Sequence, residues 1–352
     1  MALKKVGMLR TSGDEDIKDL LVRIAEKHPI ELEDRITTLD KPLILECACP
    51  GWQPKFWGPP EAYPVRKPPG YKEGGIRYPA VPCEIEEQTS VMVESVKAGS
   101  AAVHLHPRDP KDCMAPSDPQ LTKLVYDKIF EQVDAISLQH TWERTEDREV
   151  VYVGPFAKEL LELGNGNRYC QGALVLWPPG DSYPPEYTKH VQDGVRFMEE
   201  NNIKCIQKFR NPYGVRQMKR VLVDTKILTK EPYVLIHDMG HPFGWPMDLD
   251  PWMPMDLNLN IVQTKQRLGE DHVIGVYSGG RNWMPITMTA ILAGVDIVRV
   301  GIEDCYWMYP HKDEVIQNNI DAIKKIIDFC NLIGRKIASV KEARKILGIE
   351  RT

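Results

Sequence analysis

The chain has 352 residues, 42% hydrophobic and 27% charged, an ordinary globular composition with ample material for a core. Lysine and arginine total 45 against 50 acidic residues, a net charge of −5 with no basic block, which argues against nucleic-acid binding. No apolar run approaches the ~20 residues a membrane helix needs, and the stretch from Met1 to Asp14 lacks a signal-peptide core, so a cytoplasmic protein without a membrane partner is expected.

The first forty residues hold an amphipathic helix around Ile17 to Lys27 and read as an N-terminal extension, 1–40. From residue 41 onward a regular alternation begins. Apolar or β-branched runs fall at Leu43–Ala48, Ala101–His106, Ala135–His140, Cys170–Leu176, Ile203–Phe209, Tyr233–His237, Val273–Tyr277 and Asp296–Gly301. Helical-period stretches separate or follow them at Cys83–Lys97, Gln120–Glu131, Pro155–Leu163, Glu186–Asn201, Gly214–Leu222, Leu257–Leu268, Met284–Ala293 and Asp313–Leu332. Strand–helix alternation implies a parallel sheet. Eight such units close an α/β barrel, so the expected fold is a (β/α)8 TIM barrel over 41–352, with the N-terminal arm and a C-terminal helix added. The competing open sheet usually carries Gly-x-Gly-x-x-Gly after its first strand, where this chain has Cys49-Pro50-Gly51-Trp52.

The eight cysteines are scattered, with no Cys-x-x-Cys pair, so neither a zinc ribbon nor a dithiol redox centre is written here. Cys47 and Cys49 share one strand face and read as buried packing residues in a reducing compartment. Two proline- and aromatic-rich segments, 50–82 and 242–254, follow strands and belong at the C-terminal rim, where barrel active sites are built. The tryptophans (52, 57, 142, 177, 245, 252, 283 and 307) fall in or beside strand-to-helix connections. They either pack long rim loops together or line a partly apolar pocket.

Two motifs carry chemistry. In Val103-His104-Leu105-His106-Pro107-Arg108-Asp109, residues two apart on a strand share a face, so both imidazoles point the same way. Such a pair suits a divalent metal, most often zinc, or is two buried structural histidines. At the end of the eighth strand, Val298-Arg299-Val300-Gly301-Ile302-Glu303-Asp304 brings three charges into a place where buried charges need partners. Glu303 can complete a metal site, and Arg299 can neutralise or orient Asp304. The alternative is a structural ion-pair cluster. His140 and His237, at the ends of strands three and six, are read as hydrogen-bonded structural histidines, with substrate contact as the alternative. Gly279-Gly280-Arg281 precedes a helix, where backbone N–H groups can hold an anion; a purely conformational glycine turn is the other reading.

Together these motifs resemble the beta-keto acid cleavage enzymes, whose type member is 3-keto-5-aminohexanoate cleavage enzyme. The Ala98–Ala101 lead-in to the His-x-His strand, Pro82-x-Glu84-Ile85, Gly280-Arg281 with Pro285, and Asn319 carry the resemblance. So does the tail from Gly334 to Ala338 with Glu342-Ala343-Arg344. It spans roughly Lys41 to Ile349. The resemblance implies a zinc-dependent acyltransferase that converts a β-keto acid and acetyl-CoA into acetoacetate and a new acyl-CoA. By matching motif it implies one Zn2+ on His104, His106 and Glu303, and Arg299 with Asp304 as the catalytic pair. Gln53, His140, Gly280 and Arg281 fall in the substrate and coenzyme A region, and a homotetramer is implied. The chain departs from the type enzyme at Gln53, where that enzyme has a glutamate facing the substrate's amino group. It departs again on the fifth strand, where a carboxylate is replaced by Gln207 or Lys208. His140 replaces a serine, the fourth-strand Thr/Ser pattern is missing around Gly172 to Trp177, and the 50–82 loop is longer. A neutral or anionic keto acid with an apolar portion is the expected substrate, with Asp248 and Asp250 as the residues that would restore recognition of a cation. Two other classes fit less of the pattern. One is a zinc-dependent barrel hydrolase with Asp304 activating a metal-bound water; the other is a non-catalytic metal-containing barrel.

Overall fold

The computed structural model describes residues 37–49, 81–111, 113, 115–116, 118–138, 142–144, 151–153, 155–163, 172–177, 185–209, 212–240, 253–305, 307–312 and 314–349. Residues 38–352 form one compact unit. The helix expected at Ile17–Lys27, and most of the 1–40 extension and the 50–82 loop, lie outside the described residues, as do Gln53 and His140.

All eight expected strands are present: β1 (Ile44–Ala48), β2 (Ala102–His104), β3 (Ile136–Ser137), β6 (Gly172–Trp177), β7 (Lys204–Phe209), β8 (Val234–Asp238), β9 (Val273–Tyr277) and β10 (Ile297–Val300). A short antiparallel hairpin, β4 (Trp142–Arg144) with β5 (Val151–Val153), follows β3 and was not expected from the sequence. The eight strands pair only in parallel, in the order β3-β2-β1-β10-β9-β8-β7-β6. Apart from β3 and β6, consecutive strands of the eight are sheet neighbours, and the first strand β1 lies beside the last, β10. A parallel sheet that returns to its own first strand curls on itself. Among the described residues no pairing joins β3 to β6.

The helices are α1 (Ile85–Ala98), α2 (Pro119–Phe130), α3 (Pro155–Glu162), α4 (Pro185–Glu200), α5 (Pro212–Met218), α6 (Met253–Leu268), α7 (Trp283–Leu292), α8 (Asn319–Leu332) and α9 (Val340–Leu347). Their boundaries follow capping chemistry. Glu84 and Glu87 form a capping box before α1, Asp118 caps α2 ahead of Pro119, and Ser339 with Glu342 does the same for α9. The last long helix starts at Asn319, later than the expected Asp313, because the Asn318 side chain accepts from the Ile320 amide and caps it there.

Strand alternation sorts the core into two parts. Leu43, Leu45, Cys47, Val103, Val276, Val298 and Val300 face the helices in the larger cluster. Ile44, Ala102, Ile136, Ile206, Val234, Ile236, Val273 and Ile297 form the smaller one inside the curl, joined by Ala343 and Leu347 of α9. The C-terminal helix thus plugs the bottom of the sheet. Arg335, fully buried just before it, donates to the carbonyls of Ile291 and Val295 at 2.7 and 2.6 Å, tying this plug to the end of α7.

Cys47, Cys49, Cys205, Cys305 and Cys330 are buried and form no disulfide, whereas Cys83 and Cys113 form one with Cα atoms 5.1 Å apart. This pairing differs from the reading of the cysteines as scattered. It arises because α1 and the loop after β2 meet side by side, an adjacency that their 30-residue separation does not reveal.

One glycine controls how β10 leaves the sheet. A Cβ on Gly301 would lie 2.0 Å from the Ala48 carbonyl oxygen, and its φ of +159° lies outside the usual range for L side chains. Because the clash is with backbone, no rotamer relieves it. Gly301→Ala is expected to destabilise the protein by about 2–4 kcal/mol, read as the loss in unfolding free energy by urea titration. A loss below about 0.5 kcal/mol would show that the two strand ends are free to separate.

Candidate active site

The end of β1 organises the site. Ala48 pairs in register with His104 on β2, and its carbonyl accepts from the Glu303 amide at 3.3 Å on the β10 side. The Cys49 amide in turn donates to the His104 carbonyl at 3.1 Å. His104 and Glu303 are therefore flanking neighbours of one strand end, although 199 positions separate them in sequence.

β2 ends at His104, so His106 sits in the following loop rather than on the strand as expected. The imidazoles still converge, with Nε2 atoms 3.2 Å apart. The Nδ1 of His104 lies 2.6 Å from the Leu138 carbonyl. A carbonyl only accepts, so Nδ1 carries the hydrogen and Nε2 presents its lone pair. His104 Nε2 faces His106 Nε2 and also Glu303 Oε2, 3.1 Å away. One ligand atom from each of the three residues lies within 4.8 Å of the others, the arrangement of a three-ligand metal site. Two imidazoles and a carboxylate converging this closely are a donor set that a divalent metal takes, so the residues fit one. Burial pushes the His106 pKa down to about 3, keeping the imidazole neutral and able to ligate. Burial raises the Glu303 pKa, but the fields of His104 and Arg299 outweigh it and hold the carboxyl well below its usual range.

Arg299 on β10 is fully buried, and its Nε donates to Asp304 Oδ2 at 2.7 Å while Nη2 donates to Oδ1, a bidentate contact. The same Nη2 lies 3.5 Å from Glu303 Oε1, so one guanidinium spans both acids. For Asp304, burial outweighs Arg299, and with the repulsion of Glu303 the pKa is raised. The Asp304 carbonyl accepts from the Gly280 amide at 2.8 Å, and Asn319 Oδ1 accepts from the Ile302 amide at 2.8 Å. Two neighbouring elements thus clamp the loop 301–304. Gly280 has φ +70°, and the turn it makes places Arg281 over the Trp307 ring at 3.7 Å, with Nη1 donating to the Lys312 carbonyl at 2.8 Å. His237 points the other way, with Nε2 3.0 Å from Thr264 Oγ1 of α6, as a structural histidine does.

Sequence reading missed a polar row beneath these residues. Glu46 is the register partner of Arg299, Arg299 of Tyr277, and Tyr277 of Asp238, so the four share one face across β1, β10, β9 and β8. The Arg299 guanidinium lies 4.1 Å from the Tyr277 ring centroid, and Lys208 Nζ on β7 lies 3.1 Å from Asp238 Oδ2. The signal was present. Glu46 is a lone charge within Leu43-Ile44-Leu45-Glu46-Cys47-Ala48, which a buried strand does not carry without reason. Burial raises the Glu46 pKa to about 7, although Arg299, His104 and Tyr277 all act to lower it.

A family model described as beta-keto acid cleavage enzyme matches residues 70–349. The chain belongs to the beta-keto acid cleavage enzyme family, a class of carbon–carbon bond-cleaving enzymes. Among curated relatives, 3,5-dioxohexanoate:acetyl-CoA acetone transferase of Paraburkholderia graminis is 23% identical over 77% of this chain and 90% of its own length. The 3-dehydrocarnitine:acetyl-CoA trimethylamine transferase of Rhizobium meliloti is 24% identical over 76% and 89%. The 3-keto-5-aminohexanoate cleavage enzyme of Acetoanaerobium sticklandii is 26% identical over 78% and 93%. Among solved structures, apo ObcA superposes with a TM-score of 0.56 at 14% identity, over 77% of this chain and 66% of that one, a likeness of fold.

The Glu46 environment makes a pH-dependent prediction for metal-stripped protein. The carboxyl is protonated in both folded and unfolded chains below about pH 4.5; above that its ionisation favours unfolding until pH 7, where the folded group also ionises. Glu46→Gln lacks this ionisation. Its stability relative to wild type is expected to rise between pH 4.5 and 7, by up to about 3 kcal/mol, and then level off. A difference independent of pH, measured by urea unfolding, would mean that Glu46 is ionised throughout.

Proposed function

We propose that this protein condenses a β-keto acid with acetyl-CoA and releases acetoacetate and a new acyl-CoA. The observation that carries this reading is the bidentate Arg299–Asp304 pair standing beside the His104, His106 and Glu303 cluster. The relatives' printed names, two of them acetyl-CoA transferases, support acetyl-CoA as the co-substrate. We further assign residues 41–352 to the catalytic domain, with its eight strands closed as a (β/α)8 barrel between β3 and β6, and residues 1–40 to an extension.

His104, His106 and Glu303 would hold one Zn2+, which supplies Lewis-acid polarisation of the substrate's keto and carboxylate oxygens. Asp304, with its raised pKa and its orientation set by Arg299, takes the proton from the carbon between the two carbonyls. That carbon attacks the acetyl carbonyl, forming a carbon–carbon bond and expelling coenzyme A thiolate. The thiolate adds to the original ketone, whose bond to the central carbon then breaks. Acyl-CoA leaves, and Asp304 returns its proton as acetoacetate forms. Arg281, stacked on Trp307 at the same end of the sheet, is assigned the coenzyme's phosphates, with Gly280 shaping the turn that presents it.

Screening β-keto acids with acetyl-CoA, read as acetoacetate and acyl-CoA by mass spectrometry, tests the activity directly. Asp304→Asn is expected to keep its zinc and lose ~10²–10⁴-fold in rate, as general-base removal does. His104→Ala is expected to lose the zinc itself by elemental analysis. Full zinc content in that variant, or full turnover in Asp304→Asn, would reassign the respective roles.

The substrate is proposed to be a neutral or anionic keto acid. An ammonium group in a buried site needs a carboxylate partner. Gln53 takes the place of the type enzyme's glutamate, and on β7 the interior cation Lys208 occupies Asp238. The specificity constant for a neutral keto acid should exceed that for an amino-keto acid of equal length. A tenfold preference for the amino compound would instead assign Asp248 or Asp250 as its anchor.

A further inference from the structure

The polar row across β1, β10 and β9 contains one group that neither the metal site nor the base accounts for. Glu46 is fully buried, and neither carboxyl oxygen makes a hydrogen bond of ordinary geometry. The same holds for Nη1 of Arg299 and for the Tyr277 hydroxyl, both also buried. These unsatisfied atoms sit on register-paired positions, Glu46 with Arg299 and Arg299 with Tyr277, so they face one shared interior space. Neighbouring strands lie about 4.8 Å apart, within the reach of side chains this long. Burying a carboxyl costs free energy that polar neighbours must offset, and Tyr277 and Arg299 are among the neighbours that act on Glu46 here. The apolar layer below, with Ile44 and Ile297, shows that this interior otherwise takes branched aliphatic residues.

Arg299 explains what such a group can do. Its Nε and Nη2 are committed to Asp304, the Tyr277 ring lies against the guanidinium, and Nη1 is the nitrogen that makes no hydrogen bond of ordinary geometry. A guanidinium held along one edge can still hinge out of plane about that edge. A polar anchor on the opposite side removes that freedom, and the side chain two strands from Tyr277 in the same row is Glu46. The groups facing Glu46 are Arg299 and Asp304 from the β10 side, His104 from β2 and Tyr277 from β9.

We propose that Glu46, with the Tyr277 hydroxyl, is a positioning residue that anchors Arg299 from beneath so that the guanidinium holds Asp304 in its working orientation. The proposal rests on the assignment of Arg299 and Asp304 as the catalytic pair. Glu46 touches no substrate. It acts through Arg299, and its effect therefore falls on turnover rather than on substrate affinity.

The test uses the zinc-loaded protein. Glu46→Met keeps the side-chain volume and removes the polar group; Glu46→Gln keeps a group able to accept from Arg299. With the best keto acid from the screen, Glu46→Met is expected to lower kcat ten- to a hundredfold, with KM within threefold and zinc content unchanged. Glu46→Gln is expected to stay within threefold of wild type in kcat. Combined with Asp304→Asn, the Met substitution should cost little further, because both act on one group. A crystal structure of Glu46→Met should show Arg299 turned and the bidentate contact with Asp304 lost, a readout that stands even if no keto acid turns over. The proposal is overturned if Glu46→Met retains wild-type kcat, if its cost adds in full to that of Asp304→Asn, or if Arg299 and Asp304 keep their contact in the variant structure.

Discussion

Everything at the reactive end of this protein depends on the register of one strand. β1 lies between the second strand and the last, and its terminal residue Ala48 is bonded on one side to the His104 strand and on the other to the Glu303 loop. A slip of one residue would turn Glu46 outward into the apolar layer and separate His104 from Glu303, since side chains alternate faces. Gly301 permits the close approach, because no side chain fits between it and the Ala48 carbonyl. The clustering of His104, His106 and Glu303 and the Arg299–Asp304 contact are thus consequences of strand pairing before they are consequences of side-chain choice.

Above an aliphatic floor sealed by α9, the interior changes character within one strand repeat. Ile44 gives way to Glu46, Ile297 to Arg299, Gly275 to Tyr277 and Ile236 to Asp238. Buried charges on this scale are tolerated only where each finds a partner, and the pairs Arg299–Asp304 and Lys208–Asp238 provide most of that compensation. The consequence is an interior whose carboxyls are held at different proton affinities, Glu303 low and Asp304 raised, by neighbours they share. Adjacent acids with divergent environments are the usual means of dividing ligand and base roles within one site.

Family membership and site geometry bear on different questions. The matched model covers residues 70–349 and so leaves β1, with Ala48 and Glu46, outside the recognised region. The curated relatives share about a quarter of their residues with this chain. The printed names of these relatives differ in substrate, one carrying a trimethylamine group and another an amino group.

The sequence by itself determined the strand–helix alternation and the eight parallel strands, and it singled out His104, His106, Arg299, Glu303 and Asp304, which the fold brings together. Those features are local: period-2 and period-3.6 apolar patterns, a His-x-His strand, and an Arg-x-x-x-Glu-Asp run. Helix limits were legible to within about two residues at Ile85–Ala98 and Pro119–Phe130, whereas the last long helix starts six residues later than expected, at its Asn318 cap. Tertiary structure alone decided the rest. The Cys83–Cys113 disulfide, the row from Glu46 to Asp238 and the Lys208 ion pair each join side chains from separate strands or loops, and no local pattern encodes which strands become neighbours. The strand carrying His106 ended early, yet its imidazole still reached His104, because loop geometry and not strand alternation places it. Pairing register converts a one-dimensional pattern into these contacts, and it is fixed only when the whole sheet packs against its helices.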